Sequence, residues 1–374
     1  MAFLELRQTR AALADSAAQG WDIGSQLAVW RDGAPLISHA EGVARPGVAM
    51  TDASLIPWFS MTKIVTAVAV GQLWERAALS LDEPVATYID GFSAGGKAPV
   101  TIRHVLTHTG GFRYLAGSEQ LYAGGLDYDA LLRAVSAAPL EPGWVPGGRA
   151  GYHPATAFHV LGEIVRIVDG RAFDAYASEE VFEPLGMADS WIAMTPERVA
   201  AYGERMVQMV DTTGPEPAVL PRLLEPNGWS WVLPSGSGVG PAADLVRLLE
   251  ALRQGGVLEG QRILADTTTS SIVARHREGM ADETFGWIID WGLGLMVNSW
   301  HYRDRAAPYG YGDHAGRDAF GHGGMQSSLA FADPAHGLSV VVAFNGMPGE
   351  AANHRRTQRV VNALYADLAL VTGE

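Results

Sequence analysis

The sequence has no cysteine in its 374 residues. Disulfides, thiolate metal sites and a cysteine nucleophile are thereby excluded. It also has no basic excess: 27 Lys and Arg stand against 41 Asp and Glu, for a formal net charge of −14. Nucleic acids and anionic membrane surfaces attract basic patches, so neither is expected as a partner. No run of about 18 apolar residues suggests a membrane helix. The opening MAFLELRQTR carries Glu5, Arg7 and Arg10 and no apolar run behind a basic start. It does not read as a signal peptide, and a cytoplasmic location is expected. Complete P-loop and G-x-G-x-x-G patterns are absent, which disfavours an NTPase or a Rossmann enzyme. Lysine is nearly missing. Against 25 arginines there are only Lys63 and Lys97. Arginine cannot lose its proton in a protein, whereas a desolvated lysine can. A lysine that survives such a bias is therefore a candidate for chemistry.

What is present suits a folded enzyme. Hydrophobic residues make up 48% and charged residues 18%, enough for a full core. Domains usually run to ~100–200 residues, so one large domain or two interleaved ones are expected. Apolar periodicity predicts a helix over 3–19, and two β-prone runs around Asp32-Gly33 predict a hairpin over 25–44. Helical patterns follow over 60–79, at VTIRHVLTHTGG, at DYDALLRAVSAAP, over 153–170 and in FDAYASEEVFEPLGM. A Pro- and Gly-rich stretch over 211–241 leads into a further helix at AADLVRLLEALR. FGWIIDWGLGLMV, QSSLAFADPAHG and LSVVVAFNGM read as strands, with a turn near Asp333–Gly337 and a closing helix over 351–370. The fold class is α/β of the α+β kind. One antiparallel sheet is built from both ends of the chain and flanked by helices, with a mostly helical domain inserted. The sheet domain is placed at 1–85 and 265–374, the helical domain at 86–264, and the active site in the cleft between them.

Ser60-Met61-Thr62-Lys63 is an S-x-x-K. On a helix, residues three apart share a face, so a lysine amine can reach a serine hydroxyl. Serine is a poor nucleophile until a base takes its proton, and lysine serves as that base only when desolvated or set beside other cations. The apolar run after Lys63 suits such a site. By itself the pattern reads equally well as a helix-capping serine and a snorkelling lysine. Two further segments bear on it: Gly151-Tyr152-His153-Pro154, and Phe320-Gly321-His322-Gly323-Gly324-Met325.

With those segments in that order, the chain resembles the serine β-lactamase and penicillin-binding-protein superfamily. Within it, the likeness is to the class C β-lactamase-like family VIII carboxylesterases and related transacylases. The resemblance runs from about residue 22 to 345. It implies that Ser60 is the acylated nucleophile, that Lys63 helps deprotonate it, and that Tyr152 acts as base or proton shuttle. An ammonium at Lys63 is expected to lower the Tyr152 phenol by favouring phenolate. The amides of Ser60 and Met325 are expected to form the oxyanion hole. His322, Gly323 and Gly324 stand where the family's K-T-G lies and are expected to bind substrate, together with His153. Trp58, Trp229 and Trp231, with Trp144, lie on segments that approach Ser60 in the resembling fold and are expected to line an acyl pocket.

The departures narrow the chemistry. Pro154 stands two residues after the tyrosine, where lactamases and peptidases carry Asn, and His322 replaces the K-T-G lysine. Both changes favour an ester over a β-lactam or a D-Ala-D-Ala peptide. The expected partner is a small-molecule acyl ester, with an amine or alcohol acceptor as the alternative to water. No cofactor and no metal are expected. His104 and His108 are four apart but have no third ligand at zincin spacing.

Overall fold

In the computed structural model, residues 6–115, 127–220, 226–302 and 309–371 are described. The main sheet has eight strands: β1 Gly24–Arg31, β2 Ala34–Arg45, β3 Val48–Ala49, β4 Asp290–Trp291, β5 Met296–Val297, β6 Phe320–Gly324, β7 Ser328–Asp333 and β8 Leu338–Phe344. Their order is β4-β5-β6-β7-β8-β1-β2-β3, antiparallel throughout. The seam between the two ends of the chain is β1 against β8, from Ser25↔Phe344 to Arg31↔Leu338. The β1–β2 turn uses Asp32 (φ 50°) and Gly33 (φ 87°). Two successive left-handed residues match the twist of a tight hairpin.

Strand side chains alternate between the faces, and each face has its own cover. Leu27 and Val29 of β1 join Leu329, Phe331, Val340 and Val342 in one core with Leu13, Val361 and Leu364. The last three come from α1 (Arg7–Ala18) and the closing helix Glu350–Asp367. Ala28, Ala330 and Val341 face the other way, into the large core that holds helix α2 (Thr62–Glu75). Both faces are buried, so β8 is buried without interruption rather than alternating, and its one polar residue, Ser339, donates to buried Glu250 at 2.7 Å.

Other helices are α3 Ile102–Leu106, α4 Tyr128–Ala137, α5 Thr156–Asp169, α6 Phe173–Ala177, α7 Pro196–Tyr202, α8 Ala242–Arg253, α9 Asp266–Val273 and α10, the closing helix Glu350–Asp367. Helix α8, placed by sequence in the helical part, packs on β1, β7 and β8. The first residues of the helix expected over 3–19, and residues 221–225 of the Pro- and Gly-rich stretch, lie outside the described residues. FGWIIDWGLGLMV is not one strand. Trp287–Ile288 pairs with Ala281–Asp282, while β4 and β5 form a hairpin of their own. Gly292 and Gly294 (φ 87°) turn the chain between them, and the Gly292 N–H donates to Leu295 O at 2.8 Å. Among the described residues no helix is long and apolar enough to cross a membrane.

Candidate active site

Helix α2 begins one turn late. Phe59–Met61 form a 3₁₀ turn that carries Ser60 ahead of the helix, and Phe59 has φ 48°. A bulky residue in the left-handed region is strained and persists only where its surroundings hold it. Here the Thr62 hydroxyl donates to Phe59 O at 2.6 Å and accepts the Gly238 N–H at 2.8 Å, while the Trp58 N–H donates to Gly238 O at 2.7 Å. Glycine at 238 is required, because a Cβ would lie 2.7 Å from that hydroxyl and 2.6 Å from the Trp58 ring.

Lys63 follows on the helix and is fully buried. Its Nζ lies 3.0 Å from Ser60 Oγ, 2.9 Å from Pro154 O and 2.9 Å from Ser235 O. Burial pushes its pKa well below the ordinary value of 10.5. The geometry suits a neutral amine: two N–H groups donate to the two carbonyls, and the lone pair faces the serine. Tyr152 approaches from the other side, and its hydroxyl donates to Ser60 Oγ at 2.8 Å. Its phenol is raised above the usual tyrosine value, chiefly by burial. The expected lowering by a Lys63 ammonium is therefore corrected. The contact with Ser60 favours phenolate, but burial of the ring outweighs it. The three groups form a chain from phenol to hydroxyl to amine, along which the serine proton can pass to the lysine while the phenol faces the same oxygen.

Tyr152 is held by its backbone. Its N–H donates to Asp282 Oδ1 at 3.0 Å and its carbonyl accepts from Thr284 Oγ1 at 2.8 Å. Asp282 is buried and paired with buried Arg277 at 3.0 Å, and Arg277 also donates to Thr107 O. Sequence reasoning misses this support, because neither residue lies in a recognisable pattern. The H-V-L-T-H segment is a brace as well. His104 caps α3 reciprocally with Thr101, and His108 Nδ1 accepts the His153 N–H at 3.1 Å. Lys97, the second lysine, is buried and donates to the carbonyls of Ala94, Ser136 and Ala138. Rarity of lysine therefore marks one structural residue along with one site residue.

Strand β6 closes the site. The row His322–Ala330–Val341–Ala28 faces α2, which brings His322 toward Ser60. The His322 ring is buried, its Nδ1 lies 2.7 Å from Gly323 O, and burial lowers its pKa to about 3. It is a neutral ring where a K-T-G would offer a cation. Gly323 has no room for a side chain, because a Cβ would meet the Tyr309 ring at 2.1 Å. At Gly324 a Cβ would meet Trp58 O at 2.7 Å, so the bare strand lets the Ser60 turn pack directly on it. Met325 follows, and Gln326 after it has φ 48°. Neither the Ser60 nor the Met325 N–H donates to an acceptor among the described residues.

Two chambers meet at Ser60, Pro154 and Met325. One, of about 470 Å³, is walled by Tyr152, Phe285, Trp287, Tyr309, His322 and Glu350. The other, of about 430 Å³, is walled by Phe59, Tyr114, Leu115, Ala155, Leu233 and Gly236. Arg113 lines the second, but its guanidinium is held by Glu141.

Five expected site residues lie elsewhere. His153 is fully buried and its Nε2 accepts the Phe112 N–H at 3.2 Å, with its pKa lowered by burial to about 3; it fixes a loop and does not reach the cleft. Trp58 is a core residue whose Nε1 donates to Gly240 O at 3.0 Å. Trp229 packs with Leu55, Met194 and Val239. Trp231 is half-buried and lines neither chamber. Trp144 braces the turn after α3, donating to Thr109 O at 2.9 Å. The aromatic walls come instead from Phe285, Trp287 and Tyr309, in segments that carry no motif.

With this geometry in view, comparison with known proteins is decisive. The model of the beta-lactamase family matches residues 10–365. The chain belongs to the beta-lactamase family. It is 32% identical to esterase EstB of Burkholderia gladioli over 366 residues, covering 87% of this chain and 88% of that one. It is 27% identical to the esterase/beta-lactamase LipL of Mycobacterium tuberculosis, covering 86% and 77%. Among solved structures, a penicillin-binding protein homologue from Caulobacter crescentus is 29% identical with a TM-score of 0.79, covering 97% of both chains. A family VIII carboxylesterase is 26% identical, also with a TM-score of 0.79 and 97% coverage of both. Membership makes the protein a serine hydrolase or acyltransferase.

Proposed function

We propose that the protein is a carboxylesterase acting on a small-molecule ester, with Ser60 as nucleophile and Lys63 as base. The carrying observation is the hydrogen-bonded chain Tyr152–Ser60–Lys63, opening between two mainly apolar chambers. The Ser60 oxygen bonds to the ester carbonyl carbon while its proton passes to the Lys63 amine. The carbonyl electrons move onto oxygen, where the N–H groups of Ser60 and Met325 receive them. Collapse of this intermediate breaks the bond to the alkoxide. The Tyr152 hydroxyl gives its own proton to that alkoxide and regains one from the Lys63 ammonium, and an acyl-serine remains. Water then repeats the sequence and releases the acid.

Two features disfavour a β-lactam or a D-Ala-D-Ala peptide as substrate. Neutral His322 offers no charge to a substrate carboxylate, and Pro154 offers no side-chain amide. A transacylase reading rests on the larger chamber, which has the volume to hold an alcohol or amine in place of water.

Intact-protein mass spectrometry during turnover of a p-nitrophenyl ester tests both readings. An acyl adduct is expected on the wild type and none on Ser60→Ala, with p-nitrophenol released at a rate independent of added amine. Amide product accumulating with added amine selects transfer. An adduct that persists on Ser60→Ala sinks the assignment.

A further inference from the structure

Among the side chains lining the larger chamber, Glu350 is the one acid, and no Lys or Arg joins it. It stands in the first turn of α10, and its Oε2 accepts the Tyr309 hydroxyl. Its other carboxylate oxygen accepts no hydrogen bond, and it has no ion-pair partner, among the described residues. The neighbouring cations on α10 are engaged elsewhere. Arg356 donates to the carbonyls of Trp21, Gln326 and Gly346, and Arg355 lies over the Trp21 ring. His354 is held neutral by burial.

A helix start accounts for an acid at this position. It does not account for an acid in a chamber whose other walls are mainly aromatic and apolar. Phe285 stacks on Tyr152 at 4.9 Å and packs edge-on to Tyr309 at 6.3 Å, with Trp287 beside them. Aromatic faces and a carboxylate without an ion-pair partner among the described residues are together what an alkylammonium group needs: apolar contact for its carbons, ring quadrupoles and a counter-charge for its nitrogen. Burial also raises the Glu350 carboxyl above its ordinary value, so its charge is poorly solvated and gains from a cation.

The chamber's side of the reaction follows from Tyr152. Tyr152 lines the larger chamber and not the smaller one. The group that receives a proton through it must leave on that side, so the larger chamber takes the alcohol and the smaller one the acyl group. Resting on the ester-hydrolase reading, we propose that the leaving alcohol carries a cationic nitrogen, with Glu350 as its counter-ion and Phe285, Trp287 and Tyr309 around it. The substrate class is then an ester of an amino alcohol.

Two esters of one acid test this, made with 2-(dimethylamino)ethanol and with 3-methylbutanol. The two alcohols share one heavy-atom skeleton and differ in a protonated nitrogen against a carbon. The readout is the ratio of kcat/KM for the cationic ester to that for the neutral one, in wild type and in Glu350→Gln. Taking the ratio within each enzyme cancels the folded fraction, and comparing enzymes cancels the esters' intrinsic reactivity. The ratio is expected to fall by roughly tenfold or more in the variant. An unchanged ratio overturns the proposal.

Binding of both intact esters to Ser60→Ala, followed by calorimetry, separates this proposal from the reading beneath it. If wild type hydrolyses neither ester while Ser60→Ala binds the cationic one more tightly, and loses that preference on adding Glu350→Gln, the cation site stands and the esterase reading fails. Hydrolysis of both esters without dependence on Glu350 leaves the esterase reading standing and overturns the cation site. Absence of both hydrolysis and differential binding overturns the two together.

Discussion

Replacing Lys63 by arginine is expected to lower kcat/KM by about 10²- to 10⁴-fold, the range for loss of a positioned general base. Arginine keeps the charge and the reach but cannot give up its proton, so it cannot accept one from Ser60. The same reasoning fixes the pH profile of the wild type. Lys63 acts only as the neutral amine, and its pKa lies well below 10.5 because the buried Nζ has no carboxylate among its partners, only a hydroxyl and two carbonyls. Activity is therefore expected to rise with pH and to level off before pH 10.5, the ordinary lysine value. A steady-state profile with a poor acyl donor, where acylation limits, checks both points. If Lys63→Arg keeps activity within tenfold of wild type, the proton goes elsewhere, and Tyr152 becomes the base to examine.

The second large effect is on stability in acid. His108, His153, His159 and His322 are all buried, and burial lowers each pKa: to about 3 for His153 and His322, to about 4 for His159, and well below 6.5 for His108. In the unfolded chain these rings take up protons as pH falls through about 6.5, while in the folded state they stay neutral. The unfolded state binds more protons, so stability is complete above pH 6.5 and is lost as the pH drops toward the folded values. Each ring contributes about 1.4 kcal/mol per pH unit across that window, and the group together several kcal/mol between pH 6.5 and 5. The urea midpoint is expected to fall steeply over that range, and less steeply in His159→Gln, which removes one ring away from the cleft. A midpoint unchanged from pH 7 to 5 would falsify the claim that these rings are neutral in the fold.

What could be read from the residues depended on periodicity and on spacing along one element. Ser60 and Lys63 share a helical turn, and the apolar runs of β7 and β8, valine-rich in β8, around the Asp333–Gly337 turn identify them as sheet, so both were legible. The split of FGWIIDWGLGLMV was not, because the apolar run hides the left-handed Gly294 that turns it. The tryptophans were misplaced for a related reason. Trp58 is next but one to Ser60, yet the reversal of φ at Phe59 turns the serine toward the cleft while the indole stays in the core. His153 shows the same effect beside Tyr152. The chamber walls come from residues 285, 287, 309 and 350, which only the fold brings to one place. No local pattern announces such a set, and Glu350 reads by itself as an ordinary helix-start acid.

The seam between β1 and β8 has a further consequence, for the order in which the molecule can be made. Ile23 and Asn345 are hydrogen-bonded across 322 positions of the chain, and Lys63 finds its carbonyl partners 91 and 172 residues downstream. Contacts this distant require a long loop to close before they return any stabilisation, which slows folding. During synthesis the serine and its lysine emerge early, on a helix that has as yet no sheet to lie against. A polypeptide halted before residue 338 still carries the whole Tyr152–Ser60–Lys63 set. It lacks β8, and with it the strand that joins β6 and β7 to the N-terminal hairpin, so the chemistry waits on a segment made long after its nucleophile.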